Sequence, residues 1–420
     1  MVARLQRSPA WWPISAAMLC GLIVGGPILV HQARAEMIAR AHPAQTEQAA
    51  GRDRAGAGVG APRPNATPPS ADFQSDAAEK RRANAWTVGL ASGLLEGTYI
   101  RFAAELAVVL NKEDDLRVLP VITPGAIQNV KDLLYLRGID IMITQADVLE
   151  YFTKVEPIPK LANRISYITR LYHSEVHVFA RQEFRTLQDL AGRRVNLHQP
   201  GTAPTLTGRI VFDRLGIPIE ASYLNNAVAI EKMKTGEIDA LVQVTSKPND
   251  LFNKFKGEGF HFIPIPFSDK FADFYLPTEL ATADYPSLIK GDEKVDTLAV
   301  ATVLAAYDWP ENSDRFLRVS RFVDRLFEKF PELQKPPFHV KWKDVNLATT
   351  IPGWRRHQAV DRILTAWAAN ETNGARAQFN DFMRQRSSSA VDNTPEGREA
   401  LFRNFMEWRA RGGSLTLQQR

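Results

Sequence analysis

Gly138-Ile139-Asp140-Ile141-Met142-Ile143-Thr144-Gln145 carries a pattern that returns later in the chain as Gly236-Glu237-Ile238-Asp239-Ala240-Leu241-Val242-Gln243-Val244. In each, an amphipathic helical pattern stops at glycine, an acidic residue follows, and an apolar run leads into polar side chains. This reads as helix, tight turn and buried parallel strand, because a strand covered on both faces shows a continuous apolar run rather than alternation. Polar residues at the carboxyl end of such a strand sit where open α/β sheets bind ligands. Two such units predict an α/β protein of two lobes with a cleft between them.

Working outward from the first unit, strands are expected at residues 86–91, 117–122 and 139–144, and helices at 98–110 and 126–136. Tyr99, Phe102, Ala103, Leu106 and Leu110 recur at helical spacing in the first of these helices. Around the second unit, strands are expected at 176–180, 194–197 and 238–244, and helices at 205–215 and 227–234. Alternating strands and helices imply right-handed crossovers and a mainly parallel sheet in each lobe. After Pro264 the alternation fades and helical patterns dominate, the longest at 312–330, where Phe316, Val319, Val323, Leu326 and Phe330 mark one stripe.

The 420 residues are 45% hydrophobic and 24% charged, an ordinary globular composition, and the net charge of +5 comes without a dense Lys/Arg run interleaved with aromatics. Nucleic-acid binding is therefore not expected. Arg4 and Arg7 precede an apolar stretch at 11–30, and Ala33-Arg34-Ala35 fits a cleavage site, so residues 1–35 read as a signal peptide, with an uncleaved anchor as the alternative. Cys20, the single cysteine, lies inside this segment behind Leu19 rather than a small residue, which argues against lipidation. The mature chain is then without disulfide, thiolate metal site or cysteine nucleophile. Residues 36–84, rich in Ala, Gly, Pro, Arg and Gln, read as a disordered linker.

Polar residues gather in loops after strands. Ser92-Gly93-Leu94-Leu95-Glu96-Gly97-Thr98-Tyr99 leads into a helix, Thr123-Pro124-Gly125 opens another that carries Asn129, and Gln145 ends the first repeated unit. Gln199-Pro200-Gly201-Thr202-Ala203-Pro204-Thr205 opens a helix in the second lobe, and Lys247 follows the second unit. Helix N-termini present unpaired N–H groups that attract anions, and Lys247 offers a cation for a carboxylate. The plainer readings are ordinary helix capping and an exposed lysine. The glycines lack both the dinucleotide and the phosphate-loop spacing, and no cofactor is expected.

These residues, in order, resemble the TAXI group of solute-binding subunits of tripartite ATP-independent periplasmic (TRAP) transporters. The similarity rests on Gly97-Thr98-Tyr99, Gly125 with Asn129, Gln145-Ala146-Asp147, Leu171-Tyr172, Glu175-Val176-His177, the run from Leu187 through Val195, Gly236-Glu237-Ile238-Asp239-Ala240, Tyr285-Pro286 and Val295 through Val300. It implies a two-lobed periplasmic-binding-protein fold of type II form, joined by hinge strands and closing on a small solute such as a carboxylate or amino acid. The implied organisation is lobe 1 at 85–175 and 266–374, lobe 2 at 176–265, and a C-terminal helical extension at 375–420. Carried onto this sequence, the implied ligand-binding set is Ser92, Thr98, Tyr99, Gly125, Asn129, Gln145, Gly201, Thr202, Thr205 and Lys247. The implied partners are a small-molecule solute and TRAP-type integral membrane permease subunits, with the binding protein itself monomeric and periplasmic. Three departures stand out: Leu94-Leu95-Glu96 precedes Gly97, alanine rather than serine follows Gly125, and Thr202-Ala203-Pro204 replaces a Ser-Gly helix start.

Two other readings share the scaffold, a periplasmic sensor subunit and an enzyme. No Gly-x-Ser-x-Gly elbow follows any expected strand, and no carboxylate pair is singled out. His173, Glu175 and His177 alternate on one strand face, a possible metal set, but the resemblance places them at the entry to a hinge strand, where packing and hydrogen bonds explain them better. Helical patterns at 378–385 and 396–411, separated by serines, are expected to pack on the protein's own domain.

Overall fold

The computed structural model describes residues 71–385 and 395–410. The signal peptide at 1–35, the linker up to 70 and parts of the C-terminal extension lie outside the described residues. The last stretch of the expected linker is instead a helix, α1 (Ala71–Ala85). Its alanines and an Arg82–Glu79 pair one turn apart favour helix without any apolar face.

In lobe 1, β1 (Thr87–Ala91) pairs in parallel with both β2 (Arg117–Val121) and β3 (Ile141–Gln145). The crossovers are α2 (Thr98–Leu110) and α3 (Ala126–Tyr135), and α4 (Val148–Lys154) follows β3. In lobe 2, β5 (Arg194–Asn196) pairs in parallel with β6 (Glu220–Ser222) and β7 (Ala240–Thr245). Helices α5 (Ala203–Leu215) and α6 (Asn226–Lys234) make its crossovers, and a short α7 (Asp250–Asn253) follows β7.

The repeated phrase has one structural meaning in both lobes. Gly138 and Gly236 adopt φ of +92° and +77°, which only glycine takes without strain. The acidic residue then locks its strand to the neighbour: Asp140 N donates to Gly89 O (2.9 Å) while its carboxylate accepts from Gly89 N (3.3 Å). Asp239 makes the same exchange with Arg194, at 2.9 Å and 3.0 Å. Every residue of β3 is buried.

Two long antiparallel strands join the lobes. The first half of β4 (Ile165–Arg181) pairs with β10 (Lys294–Tyr307); its second half pairs with β7 and with β8 (Phe260–Ile263). Strand β10 pairs first with β9 (Tyr275–Ala281) and then, from Thr302, with β3. All ten strands thus form one continuous sheet, and the fold is a two-lobed α/β architecture with hinge strands. Helices do dominate after Pro264, but β9 and β10, not expected from the sequence, also lie there. The segment Leu298-Ala299-Val300-Ala301-Thr302-Val303-Leu304-Ala305-Ala306 is buried almost throughout, so it shows no alternation, and its alanines favour helix locally. Pairing on both edges decides for strand.

Helix α8 (Asp314–Leu333) buries Phe316, Val319, Val323 and Leu326 against lobe 1, and Phe330 is half-buried. Phe102 packs on Tyr172 and Trp342, with ring centroids at 4.7 and 4.3 Å. The C-terminal patterns belong to α9 (Gln358–Gln385), longer than expected, and α10 (Pro395–Ala410). They share a small core of Ala375, Phe379 and Phe402, and Trp367 of α9 meets Phe327 of α8 at 5.2 Å. No helix of the described residues is long and apolar enough to cross a membrane.

Candidate functional site

The carboxyl ends of β1, β2, β5 and β7 face one another across a cleft. Its walls come from the loop before α2 (Gly93, Glu96, Thr98, Tyr99), the Pro124-Gly125 turn, Tyr172 on β4, His198 and Thr202 before α5, and Gln243 to Thr245 on β7. Strand ends gather here because each helix must return across the sheet, leaving the loops that carry polar side chains on one edge.

The lobes touch across this cleft. Thr98 Oγ1 lies 2.9 Å from Ser246 Oγ and 3.3 Å from Thr245 Oγ1. Ile127 N and Gln128 N, the first-turn donors of α3, both give hydrogen bonds to the Gly201 carbonyl, at 3.0 and 3.3 Å. Gly125 (φ +130°) and Gly201 (φ +91°) make that approach possible; a Cβ on Gly201 would sit 3.1 Å from Pro124 Cβ and 3.3 Å from Gln128 Cβ.

Beneath the cleft a second interlobe contact forms. Thr207 Oγ1 of α5 is 2.8 Å from both Gln145 Oε1 and Asp147 Oδ2, and Tyr275 OH donates to the same Asp147 oxygen at 2.8 Å. Burial pushes the Asp147 carboxyl up to about 6, against the lowering effect of these two hydroxyls. Arg214 of α5 reaches both Glu150 of lobe 1 and Asp273.

Of the residues expected to bind solute, Thr98, Tyr99, Gly125 and Thr202 line the cleft. Gly201 and Thr205 support the wall: Gly201 contacts α3, and Thr205 Oγ1 donates within its own loop to the carbonyls of Leu197 and Gln199, each at 2.8 Å. Ser92 is fully buried and donates to Val121 O. Asn129 is also fully buried. Its carbonyl accepts from Thr123 Oγ1, and its amide donates to Ser92 O and Ile143 O, all within 2.5–2.6 Å, so one side chain ties together the ends of β1, β2 and β3. Gln145 lies beneath the cleft on Thr207. Lys247 points away, its ammonium on Asp284 Oδ2 (3.0 Å) and Glu279 O (2.6 Å), and its backbone N–H on Glu175.

Two residues at the site escaped singling out as binding groups. Tyr172 is fully buried and His198 is 3% exposed, and both line the cleft. The Tyr99 hydroxyl is buried beside Thr302 and the Tyr172 hydroxyl beside Thr302, Thr98 and Ser174, while His198 Nδ1 is buried with no hydrogen-bond partner. Burial raises both tyrosines well above their usual range and lowers His198, whose imidazole is therefore neutral near pH 7. His198 is one residue beyond the apolar end of the β5 segment, at φ +61°, and that position was the one available signal. A wider groove on lobe 2 continues from the cleft, sharing Glu96 and Gln243 with it.

His173, Glu175 and His177 do not converge on a metal position. His173 sits 3.0 Å from Arg170, Glu175 faces Lys341, and His177 Nε2 meets Tyr285 OH at 2.8 Å. Among the described residues no group of three or more metal-ligating side chains comes together.

Solved structures of similar fold include an arginine-binding protein (ArgBP, P235GK mutant) from T. maritima, 13% identical, at a TM-score of 0.39, covering 64% of this chain and 99% of that one. Others are XAC2383 from Xanthomonas citri, solved with ATP (11% identity, TM-score 0.39, 67% and 98% covered), and an amino acid ABC transporter substrate-binding protein from Streptococcus pneumoniae, solved with L-arginine (14%, 0.34, 64% and 98%). Likeness this distant carries no information about the ligand here. The sequence comparison reaches further: residues 90–353, which include every wall of the cleft and both hinge strands, match the NMT1-like family, and the chain belongs to that family.

Proposed function

We propose that this protein is an extracytoplasmic solute-binding protein that holds a small organic molecule between its lobes and delivers it, chemically unchanged, to the integral membrane subunits of a TRAP-type transporter. The observation that carries the reading is the interlobe cleft itself. Thr98 of lobe 1 bonds to Thr245 and Ser246 of lobe 2 on the cleft wall that also carries His198, whose Nδ1 is buried without a protein partner. Buried polar groups without partners are costly, and a bound solute supplies what they lack. A solute touching both lobes favours the closed state because it gains contacts that the open state does not offer.

In this reading residues 1–35 direct export, 36–70 tether, and the lobes are 85–175 with 266–374, and 176–265. The packing of Leu280, Tyr285 and Ile289 against Phe179 and Phe252 favours carrying the second lobe on as far as the middle of β10. Residues 375–420 form the helical extension, and the ligand set narrows to Thr98, Tyr99, Gly125 and Thr202 with Tyr172 and His198 added, while Ser92, Asn129, Gln145, Gly201, Thr205 and Lys247 hold the scaffold. The TRAP assignment follows the motif order from Gly97 to Val300.

The test is native mass spectrometry of the purified protein, with identification of any co-purifying molecule before and after incubation. A single small solute recovered intact supports binding. Recovery of a converted product would refute it in favour of an enzyme. Uptake of that solute into proteoliposomes bearing candidate TRAP permease subunits, dependent on added protein, tests the delivery step.

A further inference from the structure

We infer that the rear of the hinge carries a second ligand site, an anion seat at Arg170 suited to a small monocarboxylate with a short apolar body. It lies apart from the interlobe cleft and does not depend on what the cleft holds.

The site originates in an irregularity of the hinge. Strand β4 pairs with β10 through Arg170↔Val303 and His173↔Ala301, so two β4 residues, Leu171 and Tyr172, stand opposite the single Thr302. Such a bulge shifts the alternation of side chains by one position. Arg170 and His173, three residues apart, therefore share a face and line one pocket with Ala301, whereas Tyr172 lines the cleft. Thr302 and Ser174 bond to each other at 3.0 Å beside Tyr172, on the other face from Ala301 and His173. The rest of the pocket wall comes from Ala146 and the 349–352 segment of lobe 1 and from the 272–276 segment, which Asp273 ties to Arg214 of α5 in lobe 2.

Arg170 is half-buried with its charge unanswered. Among the described residues it forms no ion pair, and its side chain donates only through Nη1, to the His173 ring at 3.0 Å from Nδ1 and 3.1 Å from Nε2. Burial, with the guanidinium beside it, lowers His173 to about 4, so the ring accepts as a neutral group and brings no compensating charge. Arg170 Nε is buried without a partner; Nη2 makes no hydrogen bond and, unlike Nε, keeps open surface. The acids nearby are spent. Asp273 accepts from Nη1 and Nη2 of Arg214 at 2.7 and 2.8 Å, while Asp344 and Glu175 pair with Lys341 at 3.3 and 3.5 Å.

A guanidinium withdrawn from water without a counter-charge is costly, and its planar fork matches a carboxylate. Thr349 and Thr350, whose hydroxyls make no hydrogen bond among the described residues, add donors on the same wall. Ala146, Ala272, Phe274 and Ile351 supply apolar surface. One unanswered charge calls for one carboxylate, and the apolar wall calls for a short hydrocarbon body behind it.

The experiment is isothermal calorimetry on the full chain at fixed ionic strength, with acetate, butyrate, benzoate, butyramide, inorganic phosphate and chloride as probes. Wild type is compared with Arg170→Gln and with Arg209→Gln, the same loss of charge at an exposed position of α5, and circular dichroism checks that each variant folds. Butyrate or benzoate should bind at least tenfold more tightly than butyramide, phosphate or chloride. Arg170→Gln should weaken the carboxylate by at least tenfold and Arg209→Gln by less than about threefold, as loss of a charge-assisted pair predicts. On wild type, the same carboxylate should slow phenylglyoxal modification of Arg170, followed by peptide mass spectrometry, by about tenfold; this reading stands even where Arg170→Gln does not fold. Carboxylate affinity unchanged by Arg170→Gln, or modification of Arg170 unaffected by a bound carboxylate, would place the anion elsewhere and overturn the inference. Phosphate or chloride bound as tightly as butyrate, or no carboxylate bound at all, would overturn it too.

Discussion

Asp147 offers a quantitative test of how the lobes are held together. Its carboxylate is fully buried, receives Thr207 from α5 across the interlobe contact and Tyr275 from β9, and leaves Oδ1 without a partner. Desolvation outweighs the two hydroxyl donors and raises the group from 3.8 to about 6. At 1.36 kcal/mol for each tenfold change in proton affinity, this rise corresponds to about 3 kcal/mol. The sign follows from linkage: the native state binds the proton more tightly than the unfolded chain, so the stabilisation is fully present below about pH 4 and is lost as pH rises through about 6. Asn at this position does not titrate and retains an oxygen for both hydroxyls. Urea unfolding of wild type and Asp147→Asn, followed by circular dichroism between pH 3.5 and 8, should therefore show a stability difference that changes by about 3 kcal/mol across the window from pH 4 to 6, with wild type gaining on the acid side. Buried histidines such as His177 titrate in both proteins and cancel in the difference. Parallel curves would refute the argument, because they would mean that Asp147 is as well solvated in the native state as in the unfolded chain.

Asn129→Ala should cost about 3 kcal/mol of unfolding free energy, since it strips partners from Thr123, Ser92 O and Ile143 O at once; a stability change under 1 kcal/mol in denaturant titration would contradict the bridging role. Gly201→Ala should leave each lobe folded but hinder the contact of the 199–205 loop with α3, because its φ is +91° and the new methyl meets Pro124 and Gln128. Small-angle scattering should then report a larger radius of gyration and calorimetry a solute affinity at least tenfold weaker, whereas unchanged scattering would show that this contact does not set closure.

Some of this was legible because the cause is local. A helical pattern ended by glycine and followed by an acid and an apolar run reads as a buried parallel strand, and β3 and β7 are buried and parallel to β1 and β5, although their other edges meet the antiparallel hinge strands β10 and β4. Helices α2 and α8 carry their burial on a periodic stripe, which no distant contact has to supply. Strand β10 was not legible, because a segment paired on both edges and covered on both faces has no period to read, and its alanines speak for helix. The loop residues were legible as a group, since polar side chains after strands must gather at one edge of the sheet. Their individual duties were not. Thr98 and Asn129 look alike as polar residues near helix starts, yet one spans the lobes and the other is consumed inside lobe 1.

The sequence alone therefore determined that the chain builds two strand-helix units with their loops on a common edge, because patterning and turn chemistry act over a few residues. Only the tertiary structure decided which loop groups are spent and which remain unpaired: Lys247 is claimed by Asp284, the first turn of α3 by Gly201, while His198 Nδ1 is left without a partner. Hydrogen-bond capacity is exhausted or left open by neighbours distant in sequence, and that account closes only when the lobes meet.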